Sequence, residues 1–326
     1  MSYDVLCLRP EADFQRVNAP APPSLHVVYR KPDDSALPAL MRAADALIIP
    51  AVGPKLAPAQ FEGGRIKLVQ VTGAGVDRLD RDALTRLAIP VANVPGGSNG
   101  AVAEYAVTTA SALLRRFAWA DAEIKNGNYV SFRARMVADN LAGLDGLVAG
   151  IVGFGTIGQA VAQAFHRMGC RICFHDPAPH NANAAAMIGA QSMALAELLA
   201  GADIVSLHVP LLPETQGLIG ARELALMKSD AVLIQASRGG VVDEAALAAH
   251  LRAGRIIGAA IDVYSNEPPV PDNPLLALEG EAERRLLFTP HIAGVTRQSW
   301  AYLFRSSWDN IERVLLRGEP PLNRVY

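Results

Sequence analysis

One short glycine-rich segment, residues 150–158, constrains the fold of this chain more than any other part of the sequence. It reads GIVGFGTIG, follows an apolar run and precedes a stretch with helical spacing. In the pattern G-x-G-x-x-G, Gly153 permits a tight turn, Gly155 lets the backbone approach a pyrophosphate, and Gly158 lets the helix pack closely on the strand. The N–H groups at the start of that helix would face the phosphates. The segment therefore predicts a dinucleotide-binding β-α-β unit.

Apolar runs and helical stretches alternate on both sides of this turn, which is typical of parallel α/β sheets. In the first hundred residues, strands are predicted at 3–8, 46–50, 67–71 and 91–94, and helices at 37–44 and 81–87. One long helix is predicted at 99–117, with Ser98 or Asn99 near its cap. The second series has predicted strands at 148–153, 171–175, 204–209, 231–235, 257–261 and 286–289, with helices at 159–168, 195–199, 221–227 and 244–253. The six later strands predict a Rossmann-type, doubly wound parallel sheet, and the earlier ones a second, smaller α/β domain.

Two segments and the C-terminal tail do not follow this alternation. Residues 121–146 are more polar and irregular, which predicts an arm or a linker. Residues 279–285 are highly charged, and we expect them to form a surface loop. The tail from residue 295 returns to a helical pattern at 300–316 and could fold back on the first hundred residues, which would make the first domain discontinuous.

Composition argues against several classes of function. The 326 residues are 51% hydrophobic, yet the most apolar stretch, 147–158, has 12 residues and four glycines. A membrane-spanning helix needs roughly 18 apolar residues or more. The net charge is -2 without runs of like charge, so a nucleic-acid or acidic-membrane partner has no support.

The cysteines and the N-terminus favour a cytoplasmic protein. Three cysteines make no disulfide framework, and the N-terminus lacks the long apolar core of a signal peptide. Cys170 and Cys173 form a C-x-x-C, which we interpret as structural because no second pair completes a metal site. We therefore expect no metal.

An acidic residue after the next predicted strand indicates which cofactor the turn binds. Asp176 lies 18 residues past Gly158, in ICFHDP. A carboxylate there accepts hydrogen bonds from both adenosine ribose hydroxyls and repels a 2′-phosphate. No Arg or Lys follows it in PAPHNANA, so NAD is favoured over NADP. At this point a different Rossmann enzyme, such as a methyltransferase, remains the alternative.

Hydride transfer needs a cation for the substrate, a proton donor, and a group that tunes the donor. Three loops that follow predicted strands offer one candidate each: Arg238 in QASRGG, His291 in FTPHIAG and Glu267 in DVYSNEPP. A guanidinium binds a carboxylate with two parallel hydrogen bonds, histidine exchanges protons near neutral pH, and a carboxylate beside an imidazole orients the ring and favours its protonated form. Asp262 could hold the nicotinamide carboxamide. Each could instead be an ordinary loop or strand-end residue.

Taken together, the motifs make the chain resemble the D-isomer-specific 2-hydroxyacid dehydrogenase family. They are TGAGVDRLD (72–80), NVPGGSNGAVAEYA (93–106), GIVGFGTIG (150–158), HVPLLPETQGLIG (208–220), ASRGGVVDEAAL (236–247), DVYSNEPP (262–269) and TPHIAG (289–294). Their order, and the 29-residue step from Arg238 to Glu267, are similar to those of the family.

The resemblance implies roles for individual residues. The catalytic set would be Arg238, Glu267 and His291. The NAD-binding residues would be Gly153, Gly155, Thr156, Ile157, Gly158, Asp176, His208, Val209, Pro210, Thr215, Ala236, Ser237, Arg238, Asp262, His291 and Gly294. The substrate would be bound by Val52, Ala74, Gly75, Val76, Arg238 and His291.

It also implies the domain organisation. Residues 1–98 and 295–326 would form the smaller, flavodoxin-like substrate domain, and residues 99–294 the NAD-binding Rossmann domain. Family members are commonly homodimers, so we expect one here. The implied reaction is NADH-dependent reduction of a 2-keto acid to a D-2-hydroxy acid, which is reversible.

Departures from the family pattern bear on the substrate. Val71 stands where related phosphoglycerate dehydrogenases have a basic residue, which argues against a phosphorylated substrate. Ala74 stands where phosphite dehydrogenases have lysine, and formate dehydrogenases lack the glutamate that matches Glu267. Gln235 replaces the asparagine more usual before the arginine motif, with no consequence evident from the sequence.

A pocket that includes the small apolar residues 51–53 would suit glyoxylate, hydroxypyruvate, pyruvate or a modest apolar 2-keto acid. One alternative class stays open. Corepressor-type proteins with this fold bind NAD(H) and partner peptides without turnover, although nothing in this sequence resembles an added interaction tail.

Overall fold

The computed structural model describes residues 3–178 and 181–326. The chain divides into two compact units, one formed by Met1–Ser98 with Val295–Tyr326 and the other by Asn99–Gly294. Each unit contains its own parallel sheet.

The first unit is a five-stranded sheet in the order β2-β1-β3-β4-β5. Its strands are β1 (Tyr3–Cys7), β2 (Leu25–Tyr29), β3 (Ala46–Ile49), β4 (Leu68–Val71) and β5 (Val91–Ala92). Its helices are α1 (Glu11–Arg16), α2 (Leu37–Ala43), α3 (Arg81–Arg86) and the C-terminal α13 (Arg297–Leu315), with a short 3-10 helix at Pro58–Phe61. This strand order is that of flavodoxin-like proteins.

Apolar side chains cover both faces of this sheet. All residues of β3 and β4 are buried, as expected for parallel strands covered on both sides. One face packs against α13, where Phe14 contacts Phe304 and Trp308 at ring-centroid distances of 4.4 and 5.1 Å. Thr296 caps α13 by accepting a hydrogen bond from the Ser299 N–H. The C-terminal helix is thereby part of the core of the first unit.

The second unit is a seven-stranded sheet in the order β12-β11-β10-β9-β6-β7-β8. Its strands are β6 (Val148–Val152), β7 (Arg171–His175), β8 (Gln191–Ser192), β9 (Ile204–Leu207), β10 (Val232–Gln235), β11 (Gly258–Ile261) and β12 (Leu286–Phe288). Its helices are α4 (Asn99–Leu114), α5 (Phe117–Lys125), α6 (Tyr129–Ala138), α7 (Thr156–Arg167), α8 (Ala182–Met187), α9 (Leu195–Gly201), α10 (Ala221–Leu224), α11 (Glu244–Arg252) and α12 (Gly280–Glu283). Counted from β6, the order is 3-2-1-4-5-6 with one further parallel strand, so the predicted Rossmann topology is confirmed.

This topology places a switch point between β6 and β9. From β6 the chain continues to β7, toward one edge of the sheet, and from β9 it continues to β10, toward the other edge. The loops after the neighbouring strands β6 and β9 therefore diverge. Ligands of doubly wound sheets bind at this point, outside the carboxyl ends of the strands. Cys170 and Cys173 belong to the apolar cores on opposite faces of the sheet. Both thiols are free, and burial raises the pKa of each to about 11.

Several elements differ from the sequence prediction. The irregular arm predicted at 121–146 was wrong for most of its length, because α5 continues to Lys125 and α6 covers Tyr129–Ala138. Trp119 and Phe132 are the buried side chains of these two helices, so their apolar pattern is sparse. The long helix predicted at 99–117 ends at Leu114, and Arg116 takes a left-handed conformation with φ of 53° before α5 begins.

The sequence prediction also missed short elements. The loop predicted at 279–285 contains α12, whose residues are largely exposed. Strands β2 and β8 and helices α1 and α8 had no counterpart in the prediction. β8 has only two exposed polar residues, so it carries no apolar signal. Among the described helices, none has both the length and the apolarity needed to cross a membrane.

Candidate active site

The glycine-rich turn after β6 has the geometry expected of a phosphate-binding loop. Gly153 has φ of 92°, and a Cβ at this position would lie 2.5 Å from the carbonyl oxygen of His208. A Cβ on Gly158 would lie 2.0 Å from the carbonyl oxygen of Gly153. A Cβ on Gly155, in contrast, would meet no atom within 4 Å. The turn is therefore closed on the protein side and open at Gly155, which caps the N-terminus of α7.

Asp176 lies beside this turn, just past the end of β7. Its Oδ2 accepts a hydrogen bond from the Phe154 N–H at 2.7 Å, and its Oδ1 accepts one from Ala178 at 2.9 Å. A carboxylate oxygen can accept more than one bond, so both retain capacity for ribose hydroxyls. Thr156 and Ile157 begin α7, where the first N–H groups of a helix lack acceptors within it. The open backbone at Gly155 suits a pyrophosphate and the Asp176 carboxylate suits ribose hydroxyls, so these residues fit the NAD cofactor.

The loop after β9 forms the other side of the switch point. His208 pairs with the Ser206 hydroxyl through Nε2 at 2.8 Å, while its enclosed Nδ1 has no hydrogen-bond partner among the described residues. Burial lowers the pKa of His208 to about 4, so the ring is neutral at physiological pH. Val209 is half-buried. The Thr215 hydroxyl donates to the carbonyl of Pro210 at 2.6 Å, so Thr215 closes this loop on itself.

The loop after β10 carries Arg238. Ser237 is buried, whereas Ala236 and Arg238 are half-buried. One guanidinium nitrogen, Nη1, donates to the carbonyl of Ser237 at 2.7 Å. The guanidinium is thereby held close to the backbone of its own loop.

His291 and Glu267, which are 24 residues apart in the chain, form a hydrogen-bonded pair. The ring Nδ1 lies 2.9 Å from Oε2 and 3.1 Å from Oε1 of the carboxylate. The described residues make no hydrogen bond to Nε2 of His291. Burial acts to raise the pKa of Glu267. This effect is outweighed by the hydrogen bond and charge of His291, the Tyr264 N–H and the charge of Arg238, so the pKa of Glu267 is lowered. Glu267 is therefore ionised at neutral pH and can stabilise an imidazolium.

Asp262 holds the turn that presents His291. Its two carboxylate oxygens accept the N–H groups of Ile292 at 2.8 Å and Ala293 at 2.9 Å, and its carbonyl accepts the His291 N–H at 2.8 Å. His291 has φ of 56°, a left-handed conformation that is strained for a residue with a Cβ. Gly294 ends the same turn. Asp262 is 1% exposed, so it holds the backbone of the His291 turn from the protein interior.

Two supporting contacts were not evident from the sequence. The hydroxyl of Tyr105, in α4, lies 2.8 Å from Thr289 Oγ1, which donates to Asp262 at 2.5 Å. The carboxylate of Glu244 accepts the Ser265 N–H at 2.7 Å, in the loop that leads to Glu267. Glu244 begins α11 directly after its cap, and only the fold shows that its side chain reaches a second loop.

In the first unit, the loop after β4 offers a row of backbone donors. Among the described residues, none accepts a hydrogen bond from the N–H groups of Ala74, Gly75 or Val76. The carbonyl of Ala74 is held by the Asn93 side chain at 2.7 Å. The loop is thus anchored through a carbonyl while its N–H groups remain available.

The neighbouring loop, after β3, is anchored by a residue that the sequence did not single out. The Arg78 guanidinium donates to the carbonyls of Pro50 at 2.8 Å, Val52 at 3.2 Å and Pro54 at 2.8 Å. A Cβ on Gly53 would lie 3.2 Å from the guanidinium carbon. Arg78 therefore fixes the backbone on either side of the exposed Val52 side chain.

Three features of the second unit are typical of a dinucleotide-dependent oxidoreductase. They are the doubly wound sheet, the open glycine turn beside an acidic residue, and the imidazole–carboxylate pair in the loops after two adjacent strands. Comparison with known proteins specifies the family. A family model described as "D-isomer specific 2-hydroxyacid dehydrogenase, NAD binding domain" matches residues 107–293. The chain belongs to the D-isomer-specific 2-hydroxyacid dehydrogenases, a family of NAD-dependent oxidoreductases, and the predicted family and NAD cofactor are confirmed.

Curated relatives and solved structures carry several names. The chain is 37% identical over 234 residues to a D-3-phosphoglycerate dehydrogenase of Archaeoglobus fulgidus, covering 72% of this chain but only 42% of that relative. It is 33% identical over 299 residues to a glyoxylate reductase of Aeropyrum pernix, covering 91% of this chain and 87% of the relative. The crystal structure of a D-lactate dehydrogenase from Treponema pallidum superposes with a TM-score of 0.79 at 26% identity, covering 99% of each chain.

Proposed function

We propose that the chain reduces a small 2-keto acid to the D-2-hydroxy acid with NADH, and catalyses the reverse oxidation. The observation that carries this proposal is the His291–Glu267 pair, in which Nδ1 faces the carboxylate and Nε2 has no partner among the described residues. An imidazole held in this way can give and take a proton at Nε2.

Each catalytic residue has a specific task in the proposed mechanism. NADH held by the glycine turn and Asp176 would supply the hydride for the 2-keto carbon. Arg238 binds the substrate carboxylate and polarises the ketone. Protonated His291 donates a proton from Nε2 to the ketone oxygen as it becomes a hydroxyl, and Glu267 stabilises the imidazolium until then. Oxidation runs through the same groups in reverse, with neutral His291 as the base.

The first unit is proposed to supply substrate specificity. The available N–H groups of Ala74, Gly75 and Val76 support a carboxylate-binding role, as in other sites where backbone donors converge on an anion. Val52 is exposed and apolar, and we propose that it borders the substrate side chain. Val71, in contrast, is fully buried among apolar residues, and no positive charge is present at that position to bind a phosphate.

These features favour glyoxylate or hydroxypyruvate as substrate. The experiment is NADH oxidation, followed at 340 nm, with glyoxylate, hydroxypyruvate, pyruvate, phenylglyoxylate and 3-phosphohydroxypyruvate at fixed NADH. We expect the highest kcat/KM for one of the first two and the lowest for the phosphorylated acid. Highest kcat/KM for 3-phosphohydroxypyruvate would contradict the substrate assignment while leaving the reaction class intact.

The alternative is an NAD(H)-binding regulatory protein without turnover. It would be supported by tight NADH binding, measured by cofactor fluorescence, with no turnover of any acid in the panel. The His291–Glu267 pair favours the enzyme, because a proton donor beside the cofactor loops has no use in a protein that only binds NAD(H).

We also propose that the protein is a homodimer. Helices α5 and α6 expose the apolar side chains of Phe117, Tyr129, Val130 and Val137, which a partner could cover. Analytical ultracentrifugation would show a mass of about twice 34.6 kDa, and a monomer at micromolar concentration would contradict this proposal.

A further inference from the structure

Gln235, the last residue of β10, has a side-chain amide buried beneath the Arg238 loop. Its exposure is 2%. The amide oxygen accepts hydrogen bonds from the Ser237 hydroxyl at 2.8 Å and from the Ser237 N–H at 3.3 Å. The amide nitrogen donates to the carbonyl of Arg238 at 2.9 Å. One side chain therefore holds two consecutive residues of the loop, using both its acceptor and its donor.

These bonds continue to the guanidinium. The carbonyl of Ser237, whose N–H and hydroxyl are held by Gln235, accepts the bond from Arg238 Nη1 at 2.7 Å. The peptide between Ser237 and Arg238, whose carbonyl holds the guanidinium, thus lies between the two backbone groups that the buried amide holds. A rotation of this peptide would move both the base of the Arg238 side chain and the oxygen that holds its tip.

The far side of the loop allows little compensating movement. A Cβ on Gly239 would lie 1.8 Å from the Tyr264 carbonyl oxygen, so the backbone after Arg238 lies directly against the loop that leads to Glu267. The Tyr264 N–H in turn donates to Glu267 at 3.2 Å. The Arg238 loop is therefore packed between the Gln235 amide and the backbone that supports the acid–base pair.

We infer that Gln235 is a positioning residue for Arg238, because its amide holds the backbone on both sides of the peptide whose carbonyl binds the guanidinium, and so sets the direction of the guanidinium toward the substrate carboxylate. The inference rests on the proposed function for its catalytic consequence. The side-chain length matters: asparagine has one methylene fewer, about 1.5 Å, and cannot reach the same three groups from the same Cα. Glutamate would keep an oxygen that accepts the Ser237 bonds, but its second oxygen would face the carbonyl of Arg238, and two acceptors cannot form a hydrogen bond.

The test compares Gln235→Met with a stability control. Methionine keeps the approximate volume but leaves the Ser237 and Arg238 groups without their partner. Val232→Ala, at the other end of β10, removes buried methyl groups without touching the loop. The measurements are kcat and KM for glyoxylate, Kd for NADH, the thermal midpoint, and hydrogen exchange of the peptide containing residues 236–240.

We expect Gln235→Met to raise KM for glyoxylate tenfold or more, to lower kcat, to change the NADH Kd less than twofold, and to speed exchange at 236–240. Gln235→Asn should recover part of the loss. Val232→Ala should lower the thermal midpoint without changing KM or exchange in this peptide. Unchanged exchange at 236–240 in Gln235→Met would overturn the inference. An inactive wild-type protein would contradict the proposed function instead, and the exchange measurement would still decide whether Gln235 holds the loop.

Discussion

Two loops of this protein are anchored by opposite kinds of buried side chain. In the first unit, the loop after β3 is held by Arg78, which only donates hydrogen bonds and does so to three carbonyls. In the second unit, the loop after β10 is held by Gln235, which donates and accepts. Arg78 is 4% exposed, and no described carboxylate lies within ion-pair distance of it. Burial lowers the pKa of Arg78 to about 10.

The difference shows how the two units meet different demands. A neutral amide satisfies its own burial through hydrogen bonds and adds no charge beside Arg238, which we propose binds the substrate carboxylate. A buried guanidinium is more costly, but it reaches three carbonyls on both sides of an exposed side chain, which an amide cannot do. The amide therefore suits the proposed role of the Arg238 loop, and the guanidinium suits the proposed role of the Val52 loop, which is to border the substrate.

The largest expected effect tests the proposed catalytic role of the second unit. His291→Ala removes the proposed proton donor, so we expect kcat for glyoxylate reduction to fall by about 10²- to 10⁴-fold. NADH affinity should stay within a few-fold, because the glycine turn and Asp176 are untouched. Stopped-flow kinetics and fluorescence titration measure both quantities. Residual activity above about a tenth of wild type would remove His291 from the mechanism.

The next prediction tests whether Arg78 matters for the substrate and not for the cofactor. Arg78→Met removes three hydrogen bonds, and we expect the free energy of unfolding to fall by about 1–3 kcal/mol, since the lost bonds outweigh relief of the buried charge. The loop around Val52 should then loosen, raising KM for glyoxylate several-fold with an unchanged Kd for NADH.

Arg78→Lys is the matched variant for this prediction. It keeps the positive charge but replaces the planar guanidinium with a single ammonium, which cannot reach all three carbonyls in the same geometry. We expect it to resemble Arg78→Met in KM. A lysine variant with wild-type KM would show that charge, and not the three-carbonyl clamp, is what the loop requires.

The sequence offered candidate catalytic residues but not the residues that hold them. Arg238, Glu267 and His291 lie in loops that follow apolar runs, and the family resemblance of their motifs makes them the predicted catalytic set. Their catalytic roles stay a prediction. Gln235 and Arg78 act by reaching backbone groups of their own or neighbouring loops, and such contacts depend on side-chain direction and burial. No spacing rule in the sequence carries that information.

The secondary structure also divides into elements that the sequence predicts and elements that it does not. β6, β7 and β10 each contain a run of at least three buried, largely apolar residues, and their predicted positions agree with the structure within a residue or two. Edge strand β8 has only exposed polar residues, and α5 and α6 each bury a single aromatic side chain. The two helices contact each other and the rest of the second unit, as in Arg135 of α6 over the Trp119 ring of α5 at 4.4 Å and Arg284 over the same ring at 5.5 Å. Local composition could not reveal these contacts.

A smaller effect is expected from the charge of Glu267. Glu267→Gln keeps the shape of the side chain but removes the carboxylate that faces Nδ1 of His291. We expect kcat/KM for glyoxylate reduction to fall several-fold, because a neutral amide does not offer a negative charge to the proposed proton donor. Glu283→Gln, on the exposed helix α12, is the control and should leave kcat/KM unchanged. An unchanged kcat/KM in Glu267→Gln would mean that the carboxylate charge contributes nothing to the reaction.

The smallest effect concerns the pH dependence of stability that the buried His208 ring, in the loop after β9, contributes. The pKa of His208 is lowered to about 4 in the folded protein, from 6.5 for an exposed histidine, so the unfolded chain takes up this proton first as the pH falls. The free energy of unfolding should therefore decrease below pH 7, by about 0.7 kcal/mol between pH 7 and pH 6 for this group alone. His208→Asn should lose that part of the pH dependence in urea unfolding, whereas His166→Asn, on the exposed face of α7, should retain it. Equal pH dependence in the two variants would show that the ring is protonated as readily in the folded protein as in the unfolded chain, and that burial does not keep it neutral.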